Sequence, residues 1–340
     1  MINKKTSFFI IGIVALLWFL IFLIIPLEEE EKILFSGPTM GTIYEIEVLS
    51  HHISEDRIKV IEIGIDSILY AVNSSMSTYI DSSEISLVNK NRTKNKIKVS
   101  SHFYYVLKKS IEYNKLTENM FDPTIKPLLN LWGFRGKEIS ERPNLNEIHQ
   151  VLQHVGSDKI LLHDNQYIQK LHPMLTLDFG AIAKGYAVDR ISVYLEQLGY
   201  NKHFVNIGGE MICKGKRWDI GIAYPQFGSN KIYENIKLYN HAVATSGTYN
   251  QSLKIDDFEY SHIFNPKLGK PSINNVVSVT VISKKCIYSD ALATSLKVLG
   301  KDKGHDLIND LDDVECMFIV KENGEFRNYL SRNFSDFFID

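Results

Sequence analysis

The sequence predicts a mixed α/β domain of the α+β kind rather than a Rossmann sheet. Period-two apolar runs and runs with helical spacing follow one another without strict β-α-β alternation. The composition is that of an ordinary globular protein, 44% hydrophobic and 23% charged over 340 residues. Beyond the N-terminal segment there is no repeat, low-complexity tract or further linker. Together these point to one α/β unit, with room for two lobes.

The N-terminus reads as a membrane anchor. Lys4 and Lys5 precede an uncharged run from Phe8 to Leu27, followed by Glu28 to Glu31. A bilayer is spanned by about 20 apolar residues, whereas a signal-peptide core has about 7–15. No small-x-small cleavage site follows, and no cysteine stands there for lipidation. The positive-inside rule puts Lys4 and Lys5 in the cytoplasm. The expected division is 1–7 cytoplasmic, 8–27 transmembrane signal anchor, 28–34 linker and 35–340 catalytic domain. The domain then lies outside the cytoplasmic membrane on a single span, with a cleaved signal as the alternative.

The elements follow in order. GTIYEIEVL (41–49) alternates like a strand. Ile58, Ile61, Ile65, Ile68, Leu69 and Val72 recur at helical spacing over 55–72. Ser100 or Ser101 caps a second helix with Phe103, Val106, Leu107 and Ile111 on its inner face. FDPTIKPLLNLWGF (121–134) reads as a proline-broken loop with an apolar tail. A helix is expected over 145–155, then a hairpin turning at Asp164–Asn165. In LTLDFGAIAKGYAVDR (175–190) a strand runs into Asp178. A helix follows with Ala183, Ala187, Ile191, Leu195 and Leu198 on one face and Gly199 as its C-cap. HFVNIGGEMICKG (203–215) reads strand–Gly-Gly–strand. WDIGIAYP (218–225) and VSVTVISKK (277–285) are further strands. SDALATSLKVLG (289–300) is a helix capped by Ser289 and ended by Gly300, and CMFIV (316–320) is a strand.

Several classes of function are excluded. A net charge of −2 gives no electrostatic case for nucleic acid. The three cysteines, Cys213, Cys286 and Cys316, form no CxxC and read as buried thiols. Neither a GxSxG elbow nor an HExxH sequence occurs. His51–His52 sit in a polar loop and read as solvated.

Polar clusters that break the core pattern carry the chemistry. Asp178, Gly180, Lys184 and Gly185 lie at a strand-to-helix turn, where unpaired N–H groups attract anions. The order of residues is neither a Walker loop nor GxGxxG. Lys184 adds a point charge for phosphate, and Asp178 suits a ribose, a base edge or a metal. The plain alternative is an Asp cap beside a solvated lysine. Asp290 and Thr294 stand one turn apart on one helix face, hard oxygens of the kind Mg²⁺ takes, unless they only serve the helix. His262, in YSHIFNPKLGKPS (260–272), is an acid, base or ligand candidate beside an Asn-Pro turn, or a structural histidine. AVATSGTY (242–249) and NIGGE (206–210) let a flat ligand or another backbone approach closely, or are ordinary turns.

In series, GPTMGTIYEIEV, MSTYIDSSEIS, FDPTIKPLLNLWGF, LDFGAIAKGYAVDR, VNIGGE, AVATSGTY, YSHIFNPKLGKP and SDALATSLKVLG resemble the FAD:protein FMN transferases, the ApbE flavin-transferase family. The resemblance covers nearly all of 36–320 and implies a T-fold-like catalytic domain. It implies Mg²⁺-dependent transfer of FMN from FAD, through its phosphate, to a threonine or serine hydroxyl of a target flavoprotein, with release of AMP. Met40, Tyr79, Asp122, Asp178, Lys184 and Ile263 would contact FAD. The Ala181 main-chain carbonyl, Asp290 and Thr294 would hold Mg²⁺, and His262 would sit by the reacting pyrophosphate. The implied acceptor is an exported or membrane flavoprotein, for example a subunit of a membrane redox complex. Many relatives have Asp at Asn265, an acidic residue or Asn at Thr248, a small residue at Lys126, and a lipobox cysteine that this chain lacks. Competing readings are an anchored FAD-binding protein without transfer and a Mg²⁺-dependent FAD pyrophosphatase.

Overall fold

In the computed structural model, which describes residues 30–135, 139–248, 252–255 and 258–339, a single antiparallel sheet carries the architecture. Strands β1 (Glu31–Thr39) and β2 (Thr42–Ser50) pair from Glu31 opposite Ser50 to Thr39 opposite Thr42. Their two-residue turn, Met40–Gly41, has φ of 49° and 77°, the left-handed pair whose twist matches that of the flanking strands. The sheet therefore takes in residues that the sequence assigns to the linker. The apolar run Phe8–Leu27 lies outside the described residues. Among those described, no helix is long and apolar enough to cross a membrane.

Helices α1 (Glu55–Met76) and α2 (Glu84–Lys90), strand β3 (Lys96–Lys98) and helix α3 (Ser101–Leu116) come next. Ser100 caps α3 by accepting from the Phe103 N–H at 3.2 Å. The 121–134 segment is not all loop, because α4 (Lys126–Leu131) forms with Pro127 in its first turn, where a missing N–H costs nothing. Then follow α5 (Leu145–Leu152), the hairpin β4 (Ile160–His163) and β5 (Tyr167–Lys170), α6 (Ala183–Gln197) and β6 (Lys202–Ile207). The segment 218–225 is no separate strand. It continues β7 (Glu210–Ala223), which is bulged between Cys213 and Arg217. Strands β8 (Ile232–Gly247), β9 (Ser252–Ile255), β10 (Phe258–Ser261), β11 (Phe264–Asn265), β12 (Lys270–Pro271) and β13 (Val276–Ser283) lead to α7 (Cys286–Leu299) and α8 (Lys301–Asn309). Strands β14 (Glu315–Glu322) and β15 (Glu325–Leu330) close the sheet.

The eight-stranded sheet has the order β1-β2-β6-β7-β8-β13-β14-β15. Each neighbouring pair is antiparallel. Successive side chains serve opposite faces. Along β14, Cys316, Phe318 and Val320 pack with Leu292, Leu296 and Ile308 of the helices, whereas Met317 and Ile319 join Trp218, Leu238 and Phe334 on the other face. The largest core unites β2 and β6 with α1, α3 and α6 through Val48, Val205, Ile61, Phe103 and Ile191. A separate satellite core gathers Leu128, Trp132, Ile148, Tyr260 and Phe264. The Trp132 ring lies 5.2 Å from that of Tyr260, and its Nε1 donates to the Gly269 carbonyl at 3.0 Å.

Phe103 is fully buried and meets Phe179, the neighbour of Asp178, edge-on with centroids 5.2 Å apart. Phe103→Ala is expected to lower unfolding free energy by about 3–5 kcal/mol, measured by denaturant titration. Leu34→Ala, at a position 66% exposed, should stay within about 0.5 kcal/mol of the parent.

Candidate active site

The loop from Leu175 to Gly185 is the centre of the site. Its first part belongs to no strand, contrary to the sequence expectation. The amide of Asn89 takes the place of a neighbouring strand, donating to the Leu177 carbonyl at 2.8 Å and accepting from the Leu177 N–H at 2.6 Å. The Asp178 N–H then donates to the Pro123 carbonyl at 2.8 Å. The loop is thus fixed by an asparagine of α2 and by the segment that carries Asp122.

Asp178 is buried, and its Oδ1 accepts from the Gly180 N–H at 2.7 Å. A Cβ on Gly180 would stand 2.9 Å from that oxygen, so a larger residue would press on the Asp178 carboxylate. Asp178 Oδ2 and Arg135 Nε are both buried without a hydrogen-bond partner, at an ion-pair separation of 3.6 Å. Orphaned buried polar atoms are costly and mark a place where a polar group is to be received. The Arg135 guanidinium also lies 5.2 Å from the ring centroid of Tyr79, which is 75% exposed. Burial lowers the Lys126 pKa against the pull of the nearby Asp178 carboxylate. Asp122 serves its own loop, since Oδ1 accepts from the Thr124 N–H, Thr124 Oγ1 and Ser157 Oγ at 2.8, 2.6 and 3.1 Å. Burial nevertheless raises its pKa.

Six residues beyond Asp178, Lys184 opens α6 and pairs with Glu210, the first residue of β7. Glu210 and Asp290 are both buried. Burial pushes the Glu210 pKa up to about 8 despite the Lys184 ammonium, and Asp290 is raised for the same reason. Burial alone would lower the Lys184 pKa, but the two carboxylates raise it. Asp290 Oδ2 accepts the Gly185 N–H at 2.9 Å. Gly185 is the third residue of α6, so its N–H is one of the first donors that a helix leaves unpaired, and Asp290 supplies the acceptor. Thr294, half-buried, stands one turn beyond Asp290 on α7. Gly185 makes this proximity possible, because a Cβ there would lie 2.4 Å from the Cys286 carbonyl oxygen and 2.8 Å from Asp290 Cβ.

The helix that carries Asp290 starts earlier than its sequence indicates. It begins at Cys286, and Ser289 lies inside the first turn, where its Oγ meets Ser283 Oγ at 2.8 Å instead of capping. His262 is half-buried at the bend between β10 and β11. Ile263 is buried, its N–H donating to Ser261 Oγ at 3.1 Å and its carbonyl accepting the Ser272 N–H at 2.8 Å. Asn265 Oδ1 accepts the N–H groups of Lys267 and Leu268, both at 3.0 Å, a turn-holding task an aspartate oxygen does as well. Met40 tips the first hairpin beside the Gly208–Gly209 turn, whose Gly208 N–H donates to the Ile43 carbonyl at 3.2 Å. Tyr249 of AVATSGTY lies outside the described residues.

The structure therefore groups Tyr79, Arg135, Asp178, Lys126 and the Asp122 loop on one side of the 178–185 turn. It groups Ala181, Lys184 and Asp290 with Glu210 on the other. His262 and Ile263 lie between Tyr260 and Phe264 of the satellite core, whose Trp132 sits on the segment that also supplies Arg135. Glu210 and Arg135 join the site from outside the set of residues that the sequence singles out. The signal for Glu210 was an acid placed directly after the Gly-Gly turn of an otherwise apolar hairpin. Arg135 carried no local signal.

Buried acids gathered round a lysine on one side of the turn, with orphaned polar atoms on the other, are the pattern of an enzyme's site. The chain belongs to the ApbE family, whose sequence model matches residues 40–318. An FAD:protein FMN transferase of Vibrio cholerae serotype O1 is 36% identical over 319 residues, 91% of this chain and 94% of the relative. Its counterpart in Haemophilus influenzae is 34% identical over 308 residues, 87% of this chain and 89% of its own. The solved flavin transferase ApbE from Vibrio cholerae superposes with a TM-score of 0.82 at 36% identity, covering 91% of this chain and 99% of that one. The apo form of the Pseudomonas stutzeri flavinyl transferase ApbE gives 0.81 at 28% identity, covering 92% and 99%.

Gly185→Ala is expected to drive α6 and α7 apart, costing about 1–3 kcal/mol of stability and most of the activity. Thermal denaturation and a turnover assay on the same sample check both; wild-type values in each would remove the close approach from the site.

Proposed function

We propose that this chain transfers FMN from FAD to a hydroxyl of an acceptor flavoprotein, with release of AMP. The observation that carries the reading is the cluster of Lys184, Glu210 and Asp290 beside the orphaned Asp178 Oδ2 and Arg135 Nε. A pyrophosphate-bearing dinucleotide offers what this site lacks, anionic oxygens for Lys184 and Arg135 and donor groups for Asp178. The relatives named FAD:protein FMN transferase support that choice of dinucleotide.

In the reaction, the acceptor hydroxyl oxygen attacks the phosphorus of the FMN half. The P–O bond to the AMP half breaks, and AMP leaves with the electron pair. His262 takes the hydroxyl proton. Lys184 holds a phosphate oxygen, and Asp178 with Arg135 orients the nucleotide. The donor set fits Mg²⁺, because the Ala181 carbonyl lies just before α6, outside its helical hydrogen bonding, and Asp290 and Thr294 add hard oxygens one turn apart on α7. When bound, the ion supplies charge neutralisation at the phosphate oxygens. Met40, Tyr79, Asp122 and Ile263 complete the FAD contacts in this reading. The run Phe8–Leu27, flanked by Lys4, Lys5 and Glu28, supports tethering to the cytoplasmic membrane with the domain outside.

The test mixes the detergent-solubilised full chain with FAD, Mg²⁺ and an acceptor flavoprotein, and weighs the acceptor by intact mass spectrometry. The expected result is a gain of one FMN residue that a chelator prevents. Conversion of FAD to FMN and AMP without that gain, with several acceptors, would replace transfer by hydrolysis. Asp290→Ala is expected to abolish the Mg²⁺-dependent rate, and full activity would sink the metal assignment. Lys184→Met should weaken FAD binding about tenfold or more, as loss of a charged hydrogen bond does; unchanged affinity in a fluorescence titration would remove Lys184 from the site.

A further inference from the structure

Helix α7 begins without a cap of its own. Its N-cap residue, Lys285, is extended and offers no side-chain acceptor. The first N–H groups of a helix have no partner within it. Here Tyr288 and Ser289 donate back to the Lys285 carbonyl at 3.1 and 3.2 Å. The two preceding donors leave the helix altogether. Cys286 N–H reaches Asp189 Oδ1 at 2.8 Å and Ile287 N–H reaches Asp189 Oδ2 at 3.0 Å. Asp189 belongs to α6, the helix that also carries Lys184 and Gly185.

We propose that Asp189 is a positioning residue, which caps α7 from α6 and thereby fixes where Asp290 and Thr294 stand relative to the 178–185 turn. Gly185 and Asp189 are one turn apart and share a face of α6. Gly185 N–H holds Asp290 Oδ2, and each Asp189 oxygen holds one N–H at the start of α7. These bonds fix both the shift of α7 along its axis and its rotation. A slip of one residue would move its side chains by about 1.5 Å and about 100°, enough to take Asp290 out of reach of Gly185. The negative carboxylate also suits the positive end of the α7 dipole. The inference rests on the proposed reading of Asp290 and Thr294 as metal ligands. Asp189 acts through the α7 backbone, by its bonds to Cys286 N–H and Ile287 N–H.

The experiment measures Mn²⁺ binding by electron paramagnetic resonance, without FAD, on the full-length wild type, Asp189→Asn, Asp189→Ala and Asp290→Ala. Melting temperatures and the KM and kcat for FAD are recorded alongside. Outer-shell partners that orient a ligand are worth about 10–100-fold in metal affinity. Asp189→Ala is expected to lose affinity within that range, and Asp189→Asn, which keeps one acceptor and the shape, to lose less. Excess metal should restore much of kcat in both. Equal losses in the two variants would mean that only the charge matters and would overturn positioning. A lowered melting temperature with wild-type affinity would overturn it too, leaving Asp189 a structural cap. Should the Ala variant fail to fold, the Asn variant decides alone, and wild-type Mn²⁺ affinity in it overturns the proposal. If the wild type binds Mn²⁺ no better than Asp290→Ala, the metal reading fails first and takes this inference with it.

Discussion

Two buried carboxylates facing one ammonium is the constraint on which the rest of the structure depends. A lone buried acid would take up a proton, and a lone buried lysine would lose one. Glu210 and Asp290 keep Lys184 charged, and Lys184 limits how far their own pKa values climb. The arrangement stores charge of both signs in a place where water screens it little. Such a place responds strongly to an arriving phosphate or cation, because each new charge has a partner waiting. It also demands rigid supports, since a carboxylate displaced from its partner would be left buried and uncompensated.

The supports come from distant parts of the chain. Glu210 starts a strand in the middle of the sheet, Lys184 opens α6, and Asp290 belongs to α7. The absence of a Cβ at Gly185 brings the two helices into direct contact. Asn89 replaces a strand neighbour for Leu177, so the turn can leave the sheet and still have its backbone groups paired. On the far side, the satellite core packs independently and holds the bend with His262 through Trp132 and Tyr260.

Local patterns made much of this legible. The helices over 55–76 and 183–197 announced themselves by spacing, and the hairpin at 160–170 by its Asp-Asn turn. The polar clusters at 178–185 and 290–294 stand out because they break the core pattern, and the family resemblance ties them together in chain order. What stayed hidden depended on partners remote in sequence. Leu175–Leu177 looks like a strand, yet Leu177 is paired by the Asn89 side chain and the Leu175 carbonyl by the Lys170 ammonium. Ser289 looks like a cap, yet α7 draws its acceptor from Asp189, 97 residues away. Strand β7 reads as two pieces because its bulge interrupts the alternation. Arg135 enters the site only through the tertiary fold, and no periodicity reports that.

The division between the main core and the satellite core has a mechanical consequence. Lys184, Glu210 and Asp290 are set in elements that share side chains with the sheet, so a change near one of them disturbs many neighbours. The satellite core instead braces the bend that carries His262, through Trp132, Tyr260 and Phe264. Loosening that smaller core would leave the charged cluster paired while the His262 bend shifts, so phosphate holding and proton removal can fail separately.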